Sequence, residues 1–247
     1  MFTDIVNPPP RERRGPGRPP GPTAEGLETR GRLYKAAVDL ISRRGYAETT
    51  LRDVAGAADV SVGLLYRYFP SKRAVVLALY DELSATYAAE ASGMPRGRWR
   101  DRFLFALRTS LRVLSPHRST LAALVSVLVG DSEEGLFAAK TAFSRMRVAS
   151  VFETAVRDAS DAPKADLAGP LGRLLYLIHL AVLLWWLLDK SPRQRATSAL
   201  VELIERAMPS AALALRFGPV RSIVRSGDSL FREALFGGRE ASSASPR

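Results

Sequence analysis

The chain has 247 residues, enough to bury a core in one or two domains. Its 36 Lys and Arg outnumber 25 Asp and Glu, and the resulting charge of +11 points to a polyanionic partner, although a solvated basic surface without such a partner reads the same way. The absence of Cys excludes a disulfide framework, a thiolate zinc site and a thiol nucleophile, and accords with a reducing compartment.

The chain opens with no apolar run of the kind a signal peptide needs. Residues 8–22, PPPRERRGPGRPPGP, can form no helix and bury nothing, so residues 1–22 are expected to be a disordered basic arm. Within it, Gly17, Arg18 and Pro19 form the core of an AT-hook-like arm, which lays its arginine into a narrow minor groove. A solubilising tail has the same composition, and the two readings stand side by side.

A first helix is predicted over 25–44, with Leu33, Ala37, Leu40 and Ile41 on its buried face and Gly45 as its stop. Thr50 then reads as an N-cap with Asp53 placed to reach back, Ser61 as the cap of a second short helix, and Ser71 as the cap of a long one. Three caps at this spacing describe a helix-turn-helix over 45–73. Its second helix is free to enter a major groove about 12 Å wide.

At these residues the sequence resembles the TetR family of bacterial transcription regulators. The resemblance runs from Leu33 to Leu79 and includes Ala36 and Ala37, Gly45 and Tyr46, TTLRDVA over 49–55 and VSVGLLYRYFPSK over 60–72. Asp59 departs from it, standing where the family usually has glycine, though Asp tolerates positive φ. The resemblance implies an all-α fold: an N-terminal three-helix helix-turn-helix DNA-binding domain, then a C-terminal helical bundle for dimerisation and ligand binding. It makes Val62–Tyr68 the recognition helix, with Leu65 and Phe69 inward. Thr50, Tyr66 and Lys72 resemble the family's phosphate contacts, and Ser61 belongs to the same DNA-facing set. Arg52, Val62, Gly63, Leu64 and Arg67 occupy positions that approach base edges. Two of these are aliphatic and read only thymine methyls, which leaves polar readout to Arg52 and Arg67 on guanine. Tyr68 fits either the interface or a packing site against the first helix.

The long helix from Ser71 is expected to end near Gly93, and residues 23–93 form the DNA-binding domain with its linking helix. Beyond it, over 94–238, helical periodicity continues without a strand pattern. Helices are predicted over 99–114, 119–129 and 133–159. The most hydrophobic run, LGRLLYLIHLAVLLWWLL over 171–188, yields from residue 174 a helix of about 22 Å, short of a hydrocarbon core of about 30 Å, so no membrane span is predicted. Apolar nearly all round, it needs cover on several sides. The resemblance offers a homodimer interface made with a partner helix over 194–208; a buried core helix of a monomer shares the pattern. Residues 209–238 suggest one or two short helices, and 239–247 a disordered tail.

No nucleophile elbow, P-loop, dinucleotide fingerprint or HExxH is present, and two histidines, His117 and His179, leave little for acid–base work. Both read as structural. The chain is therefore expected to be no enzyme, with no catalytic residue, metal or cofactor. The resemblance does imply a small-molecule effector in the C-terminal bundle, for which Phe103, Leu107, Leu111, Leu124, Phe143, Met146, Phe152 and Tyr176 are candidate pocket residues, although core positions share this composition. Two functions are weighed. One is a cytoplasmic homodimeric repressor released from a palindromic operator on double-stranded DNA by that effector. The other is a DNA-bound interaction protein of the same fold that works through a protein partner without an effector.

Overall fold

Local capping chemistry sets the first four helices of the computed structural model, which describes residues 23–130 and 135–236. Helix α1 (Ala24–Arg44) starts where the Thr23 hydroxyl accepts from the Gly26 N–H, and stops at Gly45, whose φ of 88° suits a residue without Cβ. Helix α2 (Leu51–Ala57) carries a complete capping box: the Thr50 hydroxyl accepts from Asp53 N–H, and the Asp53 carboxylate accepts from Thr50 N–H. The Thr50 hydroxyl, which lies 2.7 Å from the Asp53 carboxylate, and the Thr50 N–H beside it hold the Asp53 carboxyl below its ordinary range. The turn that follows passes through Asp59 at φ 52°, then Ser61 caps α3 (Val62–Tyr68) and Ser71 caps α4 (Lys72–Ala91). Leu33, Ala37, Val54, Ala55, Leu65, Phe69 and Val75 close a core between these helices.

Helix α4 leaves that core without a break. Its Val76, Leu79, Tyr80 and Leu83 join Ile41 of α1, Leu121, Leu124, Leu128 and Trp186 in a second cluster that fastens the N-terminal helices to the rest of the chain. The C-terminal bundle consists of α5 (Trp99–Leu114), α6 (Arg118–Ala123), α7 (Val125–Gly130), α8 (Ala142–Arg157), α9 (Ala165–Leu188), α10 (Arg195–Ala214) and α11 (Gly218–Phe236). Tyr87, Trp99, Phe103, Leu107, Phe152, Leu171, Leu175 and Tyr176 form its core. Helices α8 and α9 meet closely because residue 172 is glycine; a Cβ there would lie 2.7 Å from the Glu153 Cα.

Three polar devices hold the bundle together. The buried guanidinium of Arg102 donates to the carbonyl of Pro95 and to those of Thr154 and Ala155, which ties α5 to the last turn of α8. Asp189 accepts from Ser191 N–H and from the N–H and hydroxyl of Thr197, which caps α10 and drives the carboxyl well below its usual range. Helix α11 lies on α9 through a two-pronged ion pair, Arg173 Nε and Nη2 each 2.6 Å from an oxygen of buried Asp228.

Among the described residues every regular element is helical, as the sequence indicates, but several boundaries differ. The 119–129 segment breaks at Leu124 into α6 and α7, and the helix expected from 133 begins only at Ala142 after a 3-10 turn over Ala139–Thr141. Helix α10 runs through Pro209 to Ala214, and α11 is a single helix. The largest correction concerns α9. It begins at Ala165 and passes through Pro170, giving 24 residues, about 36 Å, so it is long and apolar enough to cross a membrane and shortness does not exclude a span. In this structure the helix is instead covered by α5, α6, α8, α10 and α11, and buries His179 and Tyr176 among them.

Candidate nucleic-acid interface and the cavity behind it

Helix α3 presents one face inward and one to solvent. Leu65 and Phe69 are buried in the N-terminal core, while Gly63, Tyr66 and Arg67 are exposed, Tyr66 by 52%. Arg52 of α2 is exposed beside them in sequence order, and Val62 and Leu64 are half-buried. The aliphatic pair is therefore partly spent on packing, leaving Arg52 and Arg67 as the polar groups of the set that stand in solvent. Tyr68 is half-buried and packs on the N-terminal core, and a Cβ added at Gly26 of α1 would meet its hydroxyl at 3.3 Å. Thr50 and Ser61 act as caps, each hydroxyl accepting an N–H three residues on. Arg18 and the rest of 1–22 lie outside the described residues.

Lys72 is placed differently from the expectation of a free phosphate contact. Its ammonium donates to the carbonyls of Tyr46, Ala47 (3.3 Å) and Thr49 (3.0 Å) and lies 4.2 Å from the centre of the Tyr46 ring. Three donors meet three acceptors. The α4 N-terminus is thereby stitched to the turn between α1 and α2.

Behind this interface, at the other end of α4, lies a cavity of about 360 Å³ lined mostly by aliphatic side chains, including Leu83, Leu114, Leu121, Leu128, Val148, Leu177, Leu180 and Leu183. Tyr87 of α4, Ser110 of α5, and Tyr176, His179 and Trp186 of α9 complete its deeper wall. Ser110 Oγ is 2.8 Å from His179 Nε2. Burial alone lowers His179 to a pKa of about 3, so the imidazole is neutral, and burial raises the phenols of Tyr87 and Tyr176 above their ordinary range. Two polar atoms in this wall, His179 Nδ1 and Tyr87 Oη, are buried without a hydrogen-bond partner.

Of the eight pocket candidates, Tyr176 alone lines this cavity. Phe103, Leu107 and Phe152 belong to the bundle core, and Leu124 is buried in the joining cluster with Leu111 packed against it. Phe143 and Met146 are 64% and 53% exposed. Arg147 covers the Phe143 ring at 4.4 Å while reaching Asp81 and Ser84 of α4. Sequence reasoning passed over Tyr87, Ser110 and Trp186. The signal for Tyr87 is present, since Tyr80, Leu83 and Tyr87 continue an apolar stripe along α4 well past the N-terminal core.

Capped helices with an outward-facing second reader, continued by one long helix into a larger hollow bundle, define a two-part all-α helix-turn-helix protein. Residues 33–79 match the family described as bacterial regulatory proteins, tetR family. The same region is similar to the HTH-type transcriptional regulator TtgR of Pseudomonas putida, 41% identical over 63 residues, 26% of this chain and 30% of that one. It is also similar to the HTH-type transcriptional repressor KstR of Mycobacterium tuberculosis, 48% identical over 58 residues, 23% of this chain and 26% of that one. The chain thus spans less than a third of the length of these relatives. Among solved structures, the fatty acid degradation regulator FadR from Bacillus halodurans has a TM-score of 0.59 at 18% identity, covering 72% of this chain and 93% of that one. A tetR-family regulator from Streptomyces coelicolor gives 0.54 at 24%, covering 81% and 88%. At such identities the likeness shows the fold.

Proposed function

We propose that this protein is a homodimeric transcriptional regulator, a repressor that leaves a palindromic operator when a small molecule occupies the cavity. The observation that carries this reading is the double use of α4. Its first turns are built into the DNA-facing core through Val75 and Lys72, and its later turns supply Leu83, Ser84 and Tyr87 to the cavity wall. A ligand that prefers one setting of α4 therefore shifts the population of reader positions by its differential affinity.

A dimer face is available where the sequence suggests it: Ile178, Trp185 and Leu188 of α9 and Leu203 of α10 are exposed. Leu184 is also exposed but lines the cavity, which makes it a poorer probe of the dimer than Trp185. Arg52 and Arg67 read bases, Tyr66 meets phosphate, and Lys72 positions the turn. The place of action is the cytoplasm, with the chromosome. Exposed Ile223 and Leu230 on α11 favour the second reading, a DNA-bound protein acting through a protein partner. The apolar cavity favours the first, since a protein-only mechanism has no use for it.

Selection of duplexes from a randomised library by the full chain tests the proposal. The expected product is an inverted repeat with half-sites about 34 Å apart, one turn or a small multiple of it. Enrichment of no sequence overturns the regulator reading, and a single unrepeated half-site overturns the dimer.

A further inference from the structure

The cavity wall is specific enough in its chemistry to exclude most ligand classes. Among the described residues it bears one cationic side chain, Arg145, whose Nη1 is held by the carbonyls of Leu136 and Ala138, and no carboxylate. An ionised ligand buried against these leucines would be desolvated without a dedicated partner, a cost that selects neutral molecules. A wholly apolar ligand would fill the volume, yet leave the two orphaned atoms of the deep wall as they are.

Those two atoms are complementary in kind. Tyr87 is 2% exposed and its hydroxyl is a donor in search of an acceptor. His179 is 1% exposed; with Nε2 bonded to Ser110, its Nδ1 is an acceptor in the tautomer that places the proton on Nε2. The two rings lie nearly parallel, 7° apart in plane, with centroids separated by 6.2 Å. A hydroxyl group placed between them would accept from Tyr87 Oη–H and donate to His179 Nδ1, whereas a ketone can only accept and a carboxylate brings a charge. We propose that the effector is a neutral, predominantly apolar alcohol or phenol whose single hydroxyl is bound between Tyr87 Oη and His179 Nδ1. This rests on the reading of the cavity as the effector site and names the chemistry that the site selects. Its volume of about 360 Å³ lies at the lower end for pockets that take small organic ligands.

Titration of the full chain with decan-1-ol, decan-2-one and decanoate at pH 7.5, followed by calorimetry and by the fluorescence of Trp186 against a Trp186→Phe control, reads the selectivity. The expected order is alcohol, then ketone, then decanoate, with decanoate weaker than the alcohol by tenfold or more. Tyr87→Phe removes a hydroxyl that bonds to nothing, so the variant should melt no lower than the parent while binding decan-1-ol roughly three- to tenfold more weakly. Its affinity for decan-2-one should fall as well, whereas His179→Leu, if it folds, should weaken the alcohol and spare the ketone. Decanoate binding as tightly as decan-1-ol, no binding of any probe, or an unchanged alcohol affinity in Tyr87→Phe overturns the inference. Binding to the selected duplex, measured on the same samples, keeps the two proposals apart. Alcohol-selective binding that leaves DNA affinity unchanged supports the ligand class and defeats release by effector; DNA release by decanoate alone does the reverse.

Discussion

The two halves of this chain are stabilised by different means. In the N-terminal half the order is local: Thr23, Thr50, Ser61 and Ser71 each cap a helix from three residues away, and a small set of aliphatic side chains closes the core. In the bundle, helices α6, α8 and α9 begin without a side-chain cap, and long-range devices replace local ones, as where Asp161 accepts from the first N–H of α5. Arg102 reaches more than fifty residues along the chain, and Arg173 reaches Asp228 on another helix. A half ordered by neighbours can hold its shape as a unit. A half ordered by distant contacts has room for a cavity, and for orphaned polar atoms that a ligand can satisfy.

The sharpest way to break the contrast is Phe69→Ala. Phe69 is buried at the centre of the small core, where truncation costs about 3–5 kcal/mol. Specific DNA binding should disappear while the bundle still melts cooperatively in calorimetry; loss of the bundle transition as well would show that the two halves fold as one.

Acid should act on the other side of the comparison. His179 titrates at about 3 when folded and near 6.5 when unfolded, so below 6.5 the unfolded chain binds the extra proton. Stability from this group is complete above 6.5 and is lost as the pH falls toward 3, with about 2 kcal/mol gone at pH 5. Asp53 of the α2 cap, whose folded value is likewise lowered, loses its contribution with the same sign but only as the pH falls below its ordinary 3.8. Hydrogen exchange corrected for intrinsic rate should therefore show α5, α8 and α9 opening at pH 5 while α1 to α3 stay protected. Equal loss in both halves would refute the assignment.

The smallest expected effect belongs to Lys72→Met, which removes the ammonium from the carbonyls of Tyr46, Ala47 and Thr49 at roughly 1–2 kcal/mol. DNA affinity should weaken because the turn loosens, with the slope of affinity against salt nearly unchanged. A slope shallower by about 2 for a dimer would restore Lys72 as a phosphate contact.

Legibility followed the same division. The helix-turn-helix could be read because Thr50, Asp53, Ser61 and Ser71 fix their helices within three residues, and even the positive φ of Asp59 follows from side-chain type. The cavity could not, because Phe103 and Leu180 look alike in a sequence; whether an apolar residue fills a core or borders a void depends on which helices cross nearby. The early start of α9 was hidden by Pro170, which normally argues against a helix interior but here costs one hydrogen bond in a helix held by five others. The setting of Lys72 is hidden for a related reason: the type of a side chain is visible in a sequence, and the carbonyls of Tyr46, Ala47 and Thr49 that it reaches are not.

Helix α6 is short, but it is fastened at both sides. Arg118 donates to the carbonyls of Trp186, Leu187 and Asp189 at the end of α9, while Ser119 shares a 2.6 Å hydrogen bond with Ser42 of α1 and the Thr120 hydroxyl donates to the Val38 carbonyl at 3.5 Å. The DNA-facing half is thus joined to the bundle at two places, through α4 and through α6. A rigid piece attached at two points has lost most of its freedom; what remains is a swing about the line between them, as for a door on two hinges. Under the proposed function, motion arising at the cavity would reach α3 as rotation about one axis, so a small displacement near Tyr87 would be delivered as a change in where α3 points.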